Sequence, residues 1–191
     1  GAVRRGLRFS RYSLIRQNVG CMVKNSIHYG KVEEREKVLK TLALCIEKGF
    51  ADTIAAFTTK PVLSSCTRIE KTSLRAMLKA PPVAMCAFMI RFQTGMAGNA
   101  LLLVCPTDMV RLREVTSGIA PQIDDTLTPE VVEACVQLLT KVMEASNERF
   151  TEQYLKATAS EAPELINPDG KVGSLIPLAD DYEGVLCVTF K

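Results

Sequence analysis

Two long stretches of this chain carry apolar residues at helical spacing, and the segments between them alternate or bunch at strand length. The longer helical stretch runs from Thr128 to Lys156, TPEVVEACVQLLTKVMEASNERFTEQYLK. At about 100° per residue, Val131, Cys135, Leu138, Leu139, Val142, Ser146 and Phe150 fall on one stripe, widened by Val132, Ala134 and Met143. That stripe predicts a helix with this face in the core. Thr128 is placed to cap its first amides, Pro129 suits the first turn, and Glu130 and Glu133 lie at the positive end of the helix. The other stretch, 32–59, puts Leu39, Ala43, Ile46, Phe50, Ile54 and Phe57 on one face. Acids lead it, and Lys60-Pro61 ends it, because a residue before proline is pushed out of the helical region.

Elsewhere the pattern is that of strands and turns. Extended runs at 62–66 and 67–74 precede the Pro81-Pro82 break. Strands at 83–92 and 100–104 are joined by QTGMAGN into a hairpin, and 107–115 reads as a short helix capped by Thr107. After the long helix, 163–166 reads as a short strand before the turn Asn167-Pro168-Asp169-Gly170, and 174–178 with 184–190 as a second hairpin. The two halves thus share an order of long helix, proline-containing turn and hairpin, whose last strand opens with glycine, GNALLLV at 98–104 and GVLCVTF at 184–190. Glu47, Phe50, Ile54 and Phe57 align with Glu144, Asn147, Thr151 and Tyr154. An internal repeat follows. The predicted fold is α+β, two long helices packed on a mainly antiparallel sheet with pseudo-twofold symmetry.

Composition narrows the class without naming a function. The 191 residues are 47% hydrophobic and 24% charged, which is ordinary for a globular chain of one domain. Seven scattered cysteines, with no Cys-x-x-Cys spacing, read as small buried hydrophobes of a reducing compartment, and with His28 the single histidine no metal site is expected. The formal charge of +3 comes from the amino end, where Arg4, Arg5, Arg8, Arg11 and Arg16 stand without an acid. With these and Lys24 set aside, 18 of the 24 bases remain against 21 acids, so the body has a net charge of −3 and is no nucleic-acid surface. Such an arm has two readings: a transit peptide, or non-native residues ahead of a start at Met22. The second is preferred, with 1–30 a disordered arm and 31–191 one domain. The longest apolar run, 83–90, is far short of the roughly 18 residues that span a bilayer, so no membrane partner and a cytoplasmic location are expected. The same run, as an exposed apolar strand, suggests a homodimer.

The candidate chemistry lies on the polar side of the longer helix. Glu144 and Asn147, three residues apart, share a face, and Thr140 and Thr151 continue the row. A carboxylate that accepts from a cation and a carboxamide that orients a water make a preorganised pair. An amphipathic helix has a polar back in any case, so spacing alone does not decide.

The order of elements, the helix carrying Glu144-Ala145-Ser146-Asn147, the following Ala162-Pro163 and the glycine-led final hairpins resemble the CheC, CheX and FliY phosphatases of bacterial chemotaxis, most of all CheX-like members. The resemblance covers about 32–191. It implies hydrolysis of the aspartyl phosphate on a CheY-type response regulator, which itself supplies Mg²⁺ and a lysine, with no cofactor on this chain. It implies that Asn147 orients the attacking water and that Glu144 pairs with the partner's lysine, with Thr140, Thr151 and Glu148 as flanking contacts. Family members with two sites repeat the motif near the amino end. Here that place reads Glu47-Lys48-Gly49-Phe50, a degenerate first motif, since Phe50 cannot orient water. Bulky Glu148-Arg149-Phe150 replaces the small residues that often follow the asparagine. Two rivals stand beside the phosphatase: a noncatalytic adaptor that binds a response regulator or motility component through the same helix, and a dimerisation module in which the pair is merely solvated.

Overall fold

The helical spacing is realised in α1 (Val32–Ala55) and α4 (Pro129–Tyr154), which lie antiparallel on one face of a seven-stranded sheet. The computed structural model describes residues 17–24, 32–58, 64–79, 84–96, 98–118, 126–154, 157–180 and 182–190, with the side chains of 17–24, 32–36, 64–72, 77, 79 and 182–190 outside that description. The strands are β1 (Gln17–Lys24), β2 (Ser64–Ser73), β3 (Cys86–Thr94), β4 (Gly98–Val104), β5 (Ala159–Ser160), β6 (Glu164–Leu165) and β7 (Tyr182–Phe190). Their order is β2-β7-β1-β4-β3-β5, with β6 also on β3, and every pairing is antiparallel.

The expected arm is corrected here. Residues 17–24 form the strand in the middle of the sheet, with Gly20 opposite both Leu103 of β4 and Cys187 of β7. Val19, Cys21 and Val23 alternate with Asn18, Gly20, Met22 and Lys24, a strand pattern masked by the arginines ahead of it. Residues 1–16 lie outside the described residues. Where the run at 83–90 is a strand it is not left open either: residues 86–90 belong to β3, which pairs with β4 on one side and, on the other, with β6 at Phe88 and Met89 and with β5 further on.

The first predicted hairpin is present as β3–β4, with Cys86 opposite Val104 and Phe92 opposite Gly98. The second is not. Residues 172–178 form a 3-10 helix, Val172–Leu178. Pro177 has no amide for a ladder, the Asp169 carboxylate accepts from the Lys171 amide and the Ser174 hydroxyl at the entry, and three-residue spacing puts Leu175 and Leu178 on one side. The partner of β7 is instead β1. Read inward from either end, the sheet has an outer strand that follows a long helix (β2 after α1, β5 after α4), then β7 or β3, then β1 or β4. The approximate twofold axis therefore passes between β1 and β4. It matches β7 with β3, not with β4 as the glycine-led strands suggested.

Among the described residues there are two further, shorter helices. Helix α2 (Leu74–Lys79), unforeseen because six residues show no periodicity, starts where the Ser73 hydroxyl accepts from the Ala76 amide. Helix α3 (Pro106–Ser117) is capped two residues earlier than expected, at Cys105, whose side chain makes no cap bond, and not at Thr107. It ends at Gly118 in the left-handed conformation, φ 63°. Helix α4 begins as predicted, its Val131 amide donating to the Thr128 hydroxyl at 3.4 Å.

The two faces of β3 and β4 serve separate cores. Phe88, Ile90, Leu102 and Val104 face α1, α3 and α4, while Ala87, Leu101 and Leu103 face Leu74 of α2 and Leu175 of the 3-10 helix. Burial on both faces explains the unbroken apolar run that begins β3. The second core is clamped by Asn167: its Oδ1 accepts from the Ala87 amide at 2.7 Å and its Nδ2 donates to the Met85 and Lys171 carbonyls.

Helices α1 and α4 meet at Gly49 and Ser146, which occupy equivalent places in the repeat. A Cβ on Gly49 would stand 2.3 Å from the Ser146 Oγ and 2.7 Å from the Val142 carbonyl oxygen. The Ser146 hydroxyl is turned back to donate to that same carbonyl. Replacing Gly49 by alanine is expected to lower the urea midpoint of unfolding. Overpacking of about 1–3 kcal/mol outweighs the gain in helix propensity of about 1 kcal/mol. A Gly49→Ala variant as stable as wild type would show that the helices slide apart at no cost.

Candidate functional site

The outer face of α4 is an acidic row, with Glu130, Glu133, Glu144, Glu148 and Glu152 all exposed and Lys141 among them. Lys141 lies over the Phe57 ring at the end of α1, its Nζ 5.1 Å from the centroid. Arg149 forms an ion pair with Asp52 across the helix pair, and the Tyr154 hydroxyl donates to the Thr41 hydroxyl at 3.2 Å.

Glu144 stands in the open, as its spacing suggested. Asn147 does not stand beside it: the residue is only 7% exposed. At 100° per residue it lies 40° beyond Met143, one turn earlier, which is itself buried. It is therefore at the margin of the core stripe and not on the back of the helix. That margin is roofed by the returning chain. The Asn147 Nδ2 donates to the Ser160 hydroxyl of β5 at 2.9 Å, and the Asn147 Oδ1 is buried with no donor. The roof is fastened at three points. The Thr158 amide donates to the Thr151 hydroxyl, the Glu161 amide donates to the Arg91 carbonyl, and Ser160 pairs with Phe92 in the sheet. Gly95, at φ 78°, lets β3 come so close that a Cβ there would be 2.4 Å from the Ala157 carbonyl oxygen.

The remaining residues singled out from sequence fall as follows. Thr151 is engaged with that roof, Thr140 donates to the Val136 carbonyl of its own helix at 2.7 Å, and Glu148 is exposed beside Glu144. In the degenerate first motif Glu47 is half-buried, and Phe50 is fully buried in the main core. The structure thus brings Glu144 and Glu148 together at the surface and withdraws Asn147 from them. Spacing missed the Ser160 partner and the Gly49–Ser146 crossing. Both had a signal: Asn147 is four residues from core-stripe Met143, and the repeat sets glycine opposite serine at the crossing.

Among the described residues no three histidine, cysteine or acidic side chains converge as a metal site, and no helix is long and apolar enough to cross a membrane. Cys45, Cys86, Cys105 and Cys135 are free thiols. Burial lifts Cys86 to about 11 and Cys135 to about 12, with smaller contributions from neighbouring groups.

No family model matches the sequence, and no curated protein matches it. Solved structures do. Thermotoga maritima FliY superposes with a TM-score of 0.61 at 10% identity, over 85% of this chain and 91% of that one. The FliM–SpeE complex of H. pylori gives 0.58 at 10% identity, over 84% and 89%, and the FliG–FliM complex from the same organism 0.54 at 11%, over 84% and 94%. At these identities the likeness defines the fold. The chain has the CheC-like α+β fold of FliY and FliM, as its sequence led one to expect. No sequence match singles out a CheX-like member within it.

Replacing Ser160 by alanine removes the one acceptor of the Asn147 carboxamide. The expected cost is about 1–3 kcal/mol in urea unfolding, with faster amide exchange at 158–161. Unchanged stability and exchange would mean the roof holds without this bond. The thiols predict a pH dependence. Cys86 and Cys135 stay protonated in the fold well above the 9.0 at which an unperturbed thiol ionises, so the unfolded chain holds fewer protons there. Stability is retained below pH 9.0 and falls as pH rises towards about 11–12. The slope of urea midpoint against pH should shrink in Cys135→Ala, and an equal slope in that variant would exclude the thiol as its source.

Proposed function

We propose that this chain is a noncatalytic binding module of a chemotaxis or flagellar-motility assembly, docking a CheY-type response regulator or a switch component through the acidic outer face of α4. The observation that carries this reading is the burial of Asn147. A carboxamide that is to orient water on a partner's phosphate must project from the surface, whereas this one lies under β5 with its amide bonded to Ser160. What the face does present, Glu144, Glu148 and Glu152, is suited to a basic patch on another protein. The similar FliM structures come from complexes with SpeE and with FliG, and the reading extends protein binding of that kind to this fold.

A second reading rests on the unpartnered Asn147 Oδ1. A buried carbonyl without a donor costs free energy, and such groups mark strained or working sites. In this reading the chain is a phosphatase of the regulator's aspartyl phosphate. The 157–160 segment swings off, Asn147 orients the attacking water, and Glu144 pairs with the lysine of a partner that carries Mg²⁺.

Decay of a phosphorylated CheY-type regulator from the same organism separates the two. With wild type, the binding-module reading expects a pull-down of the regulator or a switch component and decay at the intrinsic rate, and Glu144→Lys to weaken binding about fivefold, or roughly 1 kcal/mol. Acceleration by wild type that disappears in Asn147→Ala would establish the phosphatase in its place.

A further inference from the structure

The helix pair carries opposite charge on its two outer faces. On α1 the exposed stripe is Lys37, Lys40, Leu44 and Lys48, with Leu44 43% exposed at its centre. On α4 the stripe beside it is Glu144, Glu148 and Glu152, preceded by Lys141, which is turned onto the Phe57 ring. The two are matched in height. Thr41 bonds to Tyr154 and Gly49 abuts Ser146, both pairs adding to 195, so Lys48 is level with Asn147 and Leu44 with Thr151. Lys48 therefore lies level with the gap between Glu144 and Glu148, and Lys40 within one turn of Glu152. At the close Gly49–Ser146 crossing the two stripes stand on helices in direct contact, whose axes in such packing lie about 8–10 Å apart.

A surface with equal stripes of opposite sign at equal height is complementary to itself. Turning a second copy about a twofold axis that runs along the helices lays its α1 on α4 of the first and its α4 on α1, without changing the height of any residue. Each lysine stripe then meets a glutamate stripe, twice over, and the two Leu44 side chains leave water. A partner of one sign satisfies only one of the two helices. We propose that the α1/α4 layer is a self-association surface, occupied by a second copy of this chain in this twofold arrangement.

The contact is largely electrostatic, so it is salt-dependent and of modest affinity. In it Glu144 and Glu148 are covered, and self-association competes with any partner that docks on α4.

Charge reversal in pairs tests the proposal, with mass read by light scattering at about 100 μM protein in about 0.02 M salt, and circular dichroism to confirm folding. Wild type is expected at twice 21.0 kDa, returning towards monomer in about 0.5 M salt. Lys40→Glu with Lys48→Glu makes both helices acidic, and Glu144→Lys with Glu148→Lys makes both basic. Each double variant alone is expected to be monomeric, and the two mixed are expected to form a 1:1 dimer, since both helix contacts are then again between opposite charges. A wild type that is monomeric in low salt, a dimer that survives either double variant, or variants that fail to recombine when mixed would each overturn the assignment.

Discussion

The place where α1 and α4 touch, Gly49 against Ser146, is the constraint on which the layer of helices depends. Neither position tolerates bulk: a Cβ on Gly49 would enter the Ser146 hydroxyl and the Val142 carbonyl. Because the two residues are equivalent in the repeat, the crossing lies on the approximate twofold axis, and the pair cannot shift along one helix without losing contact on the other. Everything outward of it is set by that register. Arg149 reaches Asp52, Tyr154 reaches Thr41, Lys141 stands over Phe57, and the charged stripes fall level with one another.

Two buried asparagines show how differently the same side chain is used. Asn167 is satisfied at both ends by backbone groups of Ala87, Met85 and Lys171, and it ties the turn after β6 to the start of β3. Its surroundings leave it one role, that of a fastening. Asn147 has a donor bond to Ser160 and an oxygen with nothing to accept from. Burial without full pairing is the less stable arrangement, and it sits next to an exposed acid on the helix that faces outward. The contrast is what separates a structural carboxamide from one whose environment is incomplete in the isolated chain.

Much of the fold was legible from spacing. The stripe from Val131 to Phe150, the Thr128 cap, the β3–β4 hairpin and the burial of Phe50 all follow from local rules, because each depends on neighbours within a few turns. What escaped depends on distant partners or on several local constraints acting at once. Residues 17–24 become a strand only because β4 and β7 flank them, and 172–178 coil because Pro177 and Asp169 act together. Helical angle places Asn147 at the edge of the core stripe but is silent about a segment thirteen residues later that folds back over it. The acid of the candidate pair was thus visible from sequence, and the state of its amide was not.

The position of β1 bears on how the chain acquires its shape. The strand nearest the amino end completes the half of the sheet that otherwise belongs to the carboxyl end, between β4 and β7. The sheet therefore cannot close before β7, the last of its strands along the described residues, has been made. A nascent chain can hold α1 with the β3–β4 hairpin early and pair β1 with β4, but it keeps the other edge of β1 and the facing edge of β2 unpaired until β7 is made. Pairing over such sequence separation is slow, and an unpaired edge in the meantime invites the wrong neighbour. For this architecture the interval between synthesis of β4 and the arrival of β7 is the period of greatest exposure to aggregation, and the one in which a chaperone has most to protect.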